Sequence, residues 1–118
     1  MKKVFYLKTC STCNRIMKEF NLSDWELREI KYQPISAEEL DEMYSFTKSY
    51  EALFSKKSTQ IKERNIEVKS LSETDFRKLI LQDYRFLKRP VFISDNEIFV
   101  GNDKTNILNL KKYFLEKE

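Results

Sequence analysis

The chain of 118 residues has no histidine, one glycine, two prolines and two cysteines, and each scarcity closes off something. Without histidine, a cysteine–histidine nucleophilic pair of the protease kind is excluded. Two cysteines with no histidine fall short of the four Cys/His ligands of a closed structural zinc site, so intramolecular zinc is not expected. No apolar run approaches the length of a membrane span, and residues 1–7 are too short and interrupted for a secretory hydrophobic region. Repeats, low-complexity tracts and linkers rich in Gly, Pro and Ser are missing, which favours a single domain. Lysine and arginine are spread along the chain rather than gathered in a block. The charged fraction of 35% with a net charge of +3 therefore describes a solvated surface, not a direct nucleic-acid grip. The compartment expected is the reducing cytoplasm, where a pair of cysteines is more often catalytic or redox-sensing than a staple.

What the chain does have is concentrated between Val4 and Met17. Val4-Phe5-Tyr6-Leu7 is strand-like and runs straight into Cys10-Ser11-Thr12-Cys13, after which Ile16, Met17 and Phe20 keep helical spacing from Cys13. A C-x-x-C thus sits where a strand hands over to a helix. The first amides of a helix lack intrahelical partners and carry the positive end of its dipole, and both effects favour a thiolate. Cys10 is expected to be the more exposed and acidic sulfur, with Cys13 opening the buried face. Cys10 would then attack and Cys13 resolve the intermediate into a disulfide. Lys8 and Arg15 add positive charge nearby, and Ser11 and Thr12 are candidate hydrogen-bond donors to the sulfur, or simply small loop residues.

The rest of the chain supplies a frame for that motif. The first strand is expected over Lys2–Leu7 and the first helix from Cys13 to about Phe20. Trp25–Tyr32 reads as a second strand parallel to the first, with Trp25, Leu27 and the stem of Glu29 on one side. Ser36 and Glu39 have capping-box spacing, and Ile35 can staple Leu40, so a helix follows. Another helical turn is expected at Glu51–Phe54, and a short helix at Gln60–Arg64 anchored by Ile61. Ser72 caps a further helix with the stripe Phe76, Leu79, Ile80. Val91–Ile93 and Ile98–Val100 form a hairpin, with Asp95-Asn96 taking positive φ in the turn. Gly101, the single glycine, ends the hairpin where other residues are resisted. Asn102 or Asp103 then caps a last helix facing the sheet through Ile107, Leu110 and Phe114.

The order β-α-β, helices, β-β-α is that of an α/β thioredoxin-like fold with a mixed four-stranded sheet. It spans residues 1–118 as one domain with a helical insertion at about residues 34–86. In that architecture the residue before the third strand is a cis-proline beside the active-site sulfur, and Pro90 stands there. Arg89 would be held next to Cys10, where a guanidinium can bind an oxyanion or a thiolate.

The Cys10 loop, Pro34-Ile35-Ser36, Leu53-Phe54-Ser55-Lys56-Lys57-Ser58, and Leu87-Lys88-Arg89-Pro90-Val91-Phe92-Ile93 with Val100-Gly101 together resemble the arsenate reductase-like family, which includes ArsC, Spx and YffB proteins. The resemblance covers nearly the whole chain. It implies Cys10 as the catalytic cysteine, Cys13 as the resolving one, and Arg89 as the anion-binding arginine. The glutaredoxin-dependent arsenate reductases of the family also use an arginine in the insertion and one after the hairpin. Ser55 and Gly101 stand at those places here, so an oxyanion would depend on Arg89 with help from Lys56 or Arg15. No bound cofactor is implied, and glutathione, glutaredoxin or thioredoxin would be the electron donor. The alternative that the resemblance offers is an Spx-like redox-sensing regulator binding the C-terminal domain of the RNA polymerase α subunit. A glycine of the insertion contributes to that contact, and Ser49 is its approximate counterpart.

Overall fold

The computed structural model describes residues 1–117. They fall into two compact units, one made of residues 1–33 and 89–117, the other of Pro34–Lys88.

The first unit is a four-stranded mixed sheet with helices. Its strands are β1 (Lys3–Tyr6), β2 (Glu26–Glu29), β3 (Val91–Ile93) and β4 (Ile98–Val100), in the order β2-β1-β3-β4. β1 runs parallel to β2, with Val4 opposite Leu27 and Tyr6 opposite Glu29. β3 is antiparallel to both β1 and β4. This is the α/β thioredoxin-like arrangement that the element order implies. Central strands carry apolar side chains on both faces because water reaches neither, and Val4 and Phe5 on β1 and all of β3 are buried accordingly.

Helix α1 (Ser11–Met17) begins earlier than the Cys13 start expected from sequence. The Cys10 sulfur caps it by accepting the Cys13 amide, so Ser11 and Thr12 already belong to the first turn. It also ends sooner, unwinding through bonds from Glu19 N–H to Ile16 and from Phe20 N–H to Met17. The C-terminal helix, numbered below as α5 (Lys104–Lys117), starts right after Asp103, whose carbonyl accepts the Ile107 N–H at 3.0 Å.

Between these helices and the sheet lies a core of Val4, Ile16, Trp25, Phe92, Phe99, Leu110 and Tyr113, lined by Phe20, Ile107 and Phe114 among others. Phe92 is its centre. The ring is fully buried and meets Trp25 edge-on at 5.5 Å, Phe20 at 6.1 Å and Phe114 at 6.1 Å. Trp25 is inward, as expected, but Leu27 is not: it is 50% exposed on the edge strand. Trp25 belongs to a turn, its N–H bonded to Leu22, so its phase does not carry into β2. The hairpin turn also differs from expectation. Among described non-glycine residues only Lys48 and Asn65 have positive φ, so Asp95 and Asn96 do not. The turn is closed instead by Ser94, whose N–H donates to the Glu97 carbonyl at 2.9 Å while its hydroxyl accepts the Glu97 amide at 3.2 Å.

The second unit is helical: α2 (Ala37–Thr47), α3 (Thr59–Glu63) and α4 (Glu73–Gln82), with single 3-10 turns at Glu51–Leu53, Val68–Ser70 and Tyr84–Phe86. Both long helices start with complete capping boxes, Ser36 with Glu39 and Ser72 with Asp75. Each box satisfies amides that would otherwise face the solvent without partners. Phe54 stacks on Phe86 at 5.3 Å and tilts against Phe76 at 4.9 Å. The inward residue of α3 is Gln60 rather than the expected Ile61. Gln60 is drawn in by polar bonds, donating to Glu63 and accepting from Arg64 Nε at 3.1 Å. Arg64 in turn donates to the buried Asp83 at 2.6 Å, and Arg85 donates to the same carboxylate at 2.8 Å. The Arg85 hydrogen bond outweighs burial and holds the Asp83 carboxyl below its ordinary range.

Phe92→Ala should lower the unfolding free energy by about 3–5 kcal/mol, because it leaves a cavity among rings that cannot close in. Leu27→Ala should change it by no more than about 0.5 kcal/mol, as for other exposed positions. Urea unfolding of the two variants checks both; equal effects would place the core elsewhere.

Candidate active site

The turn leaving β1 is closed by the Cys10 N–H donating to the Leu7 carbonyl at 3.0 Å, which brings Cys10 to the start of α1. The Cys13 amide then donates to the Cys10 sulfur at 3.4 Å. Serine, aspartate and asparagine ordinarily accept such an amide; here a sulfur does, and the bond is strongest when that sulfur is charged. Both cysteines are free thiols, Cys10 partly exposed and Cys13 fully buried.

Their acidities diverge. Partial burial pushes Cys10 up, but the Cys13 amide, the Cys13 thiol, the positive charge of Arg89 and the Thr12 amide together bring it below the ordinary thiol value. For Cys13, burial dominates and the thiol is pushed up to about 12, with the neighbouring Cys10 adding to the rise. The pair is thus one sulfur more acidic than an ordinary thiol and one much less acidic.

Arg89 lies in the loop just before β3, half-buried with its Nε shielded from solvent, and its charge acts on both sulfurs. The Arg89–Pro90 peptide bond is cis. Gly101, buried with φ of 88°, donates its N–H to the Pro90 carbonyl at 2.8 Å, and its own carbonyl accepts from Asn106 Nδ2 at 2.7 Å. A side chain at that positive φ would be strained, so the single glycine is where the loop after β4 must pass Pro90.

The structure brings together Cys10, Cys13, Thr12 through its amide, Arg89, Pro90 and Gly101. It does not bring the Lys8 and Arg15 charges to the sulfur as leading contributors: both side chains are exposed, and Arg89 supplies the main charge. Ser11 is exposed as well. Lys56 lies in the helical unit, exposed and paired with Glu51 at 2.6 Å.

Two polar residues that the sequence reading did not assign to the site hold its loop. The Lys8 amide donates to Glu29 at 3.1 Å, and the Lys8 carbonyl accepts from Asn14 Nδ2 at 2.9 Å. Glu29 also accepts the amides of Lys31 at 2.8 Å and Tyr32 at 2.9 Å. A signal was available: a parallel β1–β2 pair puts both C-terminal ends together, so a carboxylate ending β2 lies beside the loop that ends β1.

The sheet order, with a cysteine pair at the first strand–helix junction and a cis-proline before the third strand, places the chain in the α/β thioredoxin-like fold class. Within it, the ArsC family model matches residues 5–110, and the chain belongs to that family. The global transcriptional regulator Spx 1 of Bacillus cereus is 26% identical over 110 residues, covering 91% of this chain and 84% of the relative. Among solved structures, an ArsC family related protein from Bacteroides fragilis has a TM-score of 0.74 at 19% identity, covering 92% of this chain and 96% of that one. The arsenate reductase from Vibrio cholerae also has a TM-score of 0.74, at 17% identity, covering 92% and 95%. Among the described residues no helix is long and apolar enough to cross a membrane, and no cluster of three or more His, Cys, Asp or Glu could hold a metal ion.

Arg89→Gln should move the midpoint of pH-dependent iodoacetamide alkylation of Cys10 upward. The sign follows from charge: a cation favours the thiolate, so its loss raises the thiol's pKa and leaves less thiolate at neutral pH. An unchanged midpoint would remove Arg89 from the site.

Proposed function

We propose that the protein is a thiol oxidoreductase that reduces a disulfide or an arsenate-like oxyanion, with Cys10 as nucleophile and Cys13 as resolving thiol. The observation that carries this reading is the split pair: a partly exposed sulfur more acidic than an ordinary thiol, 3.4 Å from the backbone amide of a buried one whose acidity is pushed the other way. Thiolate is the attacking form, and a pair of unequal acidity gives attack and resolution a fixed order.

With a disulfide substrate, Cys10 forms a bond to one substrate sulfur and the other leaves as thiolate. Cys13 then attacks the Cys10 sulfur, releasing the second substrate thiolate, and its proton passes to a departing group. Two electrons move from the protein to the substrate. With arsenate, Cys10 displaces one oxygen as water to form a sulfur–arsenic bond. Attack of Cys13 on Cys10 breaks that bond, and its electron pair reduces arsenic to the trivalent state. Both routes end in a Cys10–Cys13 disulfide, which glutathione, glutaredoxin or thioredoxin would reduce. Arg89 would stabilise the anion as it develops, while Thr12 contributes its amide. The sequence stands Gly101 and Ser55 where fuller arsenate sites carry arginine, so a disulfide is the favoured substrate.

The similarity to Spx 1 supports a second reading, a redox-sensing regulator in which the same disulfide alters affinity for the RNA polymerase α subunit. Cys10→Ser should reduce disulfide turnover to the uncatalysed level, and Cys13→Ser should accumulate a mixed disulfide on Cys10 visible by mass spectrometry. A wild-type protein that turns over neither substrate, yet binds the α subunit only in one redox state, would overturn the enzyme in favour of the regulator.

A further inference from the structure

The turn from Leu7 to Cys10 sets where the reactive sulfur sits, and its second residue is gripped through both its backbone N–H and its backbone carbonyl. The Lys8 N–H donates to Glu29 Oε2 and the Lys8 carbonyl accepts from Asn14 Nδ2. Glu29 is rigidly placed for this. It ends β2 opposite Tyr6 of β1, and its other oxygen takes the Lys31 and Tyr32 amides, so one carboxylate bonds three backbone N–H groups from two loops. Asn14 is on α1, four residues beyond Cys10, and its own amide donates to the Cys10 carbonyl at 3.1 Å. One residue therefore ties the helix both to Cys10 and to the turn that delivers it.

We propose that Glu29 and Asn14 are positioning residues for the Cys10 sulfur, acting through the Lys8 peptide. The inference rests on the redox reading of the cysteine pair. Without the grip, the Leu7–Cys10 turn is free to shift relative to α1. The 3.4 Å amide-to-sulfur bond depends on where the turn sets Cys10 against α1, so a shift of the turn weakens it. Neither residue touches the reacting atoms.

The charge of Glu29 makes the proposal separable from electrostatics. Groups acting on the Cys10 sulfur are Cys13, Arg89 and the Thr12 amide, and Lys31 is the cation acting on Glu29. If Glu29 acted on Cys10 only as an anion, Glu29→Gln would favour the thiolate and lower the alkylation midpoint. Positioning demands the opposite, since a lost amide bond raises it. Asn14→Ala changes no charge and replaces asparagine by a better helix former, so it should not weaken α1.

The test is iodoacetamide alkylation of Cys10 against pH in wild type, Glu29→Gln and Asn14→Ala, with far-ultraviolet circular dichroism confirming the fold. Both variants should show an upward midpoint and at least about threefold slower alkylation at neutral pH, since a tenfold change in thiolate accompanies each unit. Glu29→Asp, which keeps the carboxylate, should fall between wild type and Glu29→Gln. Unshifted or lowered midpoints in both variants, with an acidic wild-type Cys10, would overturn the positioning role and leave the redox reading intact. An ordinary thiol midpoint in the wild type would overturn both.

Discussion

Cys10 both ends the turn that leaves β1 and caps α1, and the cap is a sulfur accepting the amide of the other cysteine in the pair. That bond makes a local folding event and a chemical property the same thing. Starting the helix satisfies an amide that would otherwise lack a partner, and the group satisfying it gains from carrying negative charge. Three further features of the first unit frame that junction. The parallel β1–β2 pair brings Glu29 to the loop, the aromatic core around Phe92 seats α1 on the sheet, and Gly101 passes closely enough to bond the residue after Arg89.

Opposed effects decide the site's character. Burial alone would raise both thiols, and for Cys13 it prevails over the Leu7 backbone bond and the Arg89 charge that oppose it. At Cys10 the same burial is overcome only by several partners together: two amides, a neighbouring thiol and a guanidinium. The acidity of Cys10 therefore reflects these partners acting together against burial. This is why residues that never meet the substrate can matter to its reactivity.

Much of the frame was legible in the sequence because it is written in short-range chemistry. Capping boxes at Ser36 and Ser72 bind residues three apart, and the single glycine marks the positive φ at 101. The strand–helix junction around Cys10 and the hairpin strands are equally local signals. What was misread depended on tertiary partners. Leu27 is apolar yet exposed because β2 is an edge strand, and its turn breaks the phase set by Trp25. Gln60 replaced Ile61 as the inward residue because of polar bonds to Glu63 and Arg64. Ser94 closed the hairpin without positive φ at Asp95 or Asn96. In the site itself, the cysteines and Arg89 carried recognisable positions, whereas Glu29 and Asn14 act through backbone atoms of Lys8 and leave no motif. Lys8, Arg15 and Lys56 were suggested by their charge, but charge in sequence says nothing of direction.

The central claim is that the two sulfurs form a reversible pair. Treatment with a stoichiometric small-molecule disulfide, followed by peptide mapping without reductant, tests it most directly. The account expects a Cys10–Cys13 linked peptide lighter by two hydrogens, fully reversed by dithiothreitol, with the fold retained. Recovery of two separate thiols, or of only intermolecular disulfides, would contradict it.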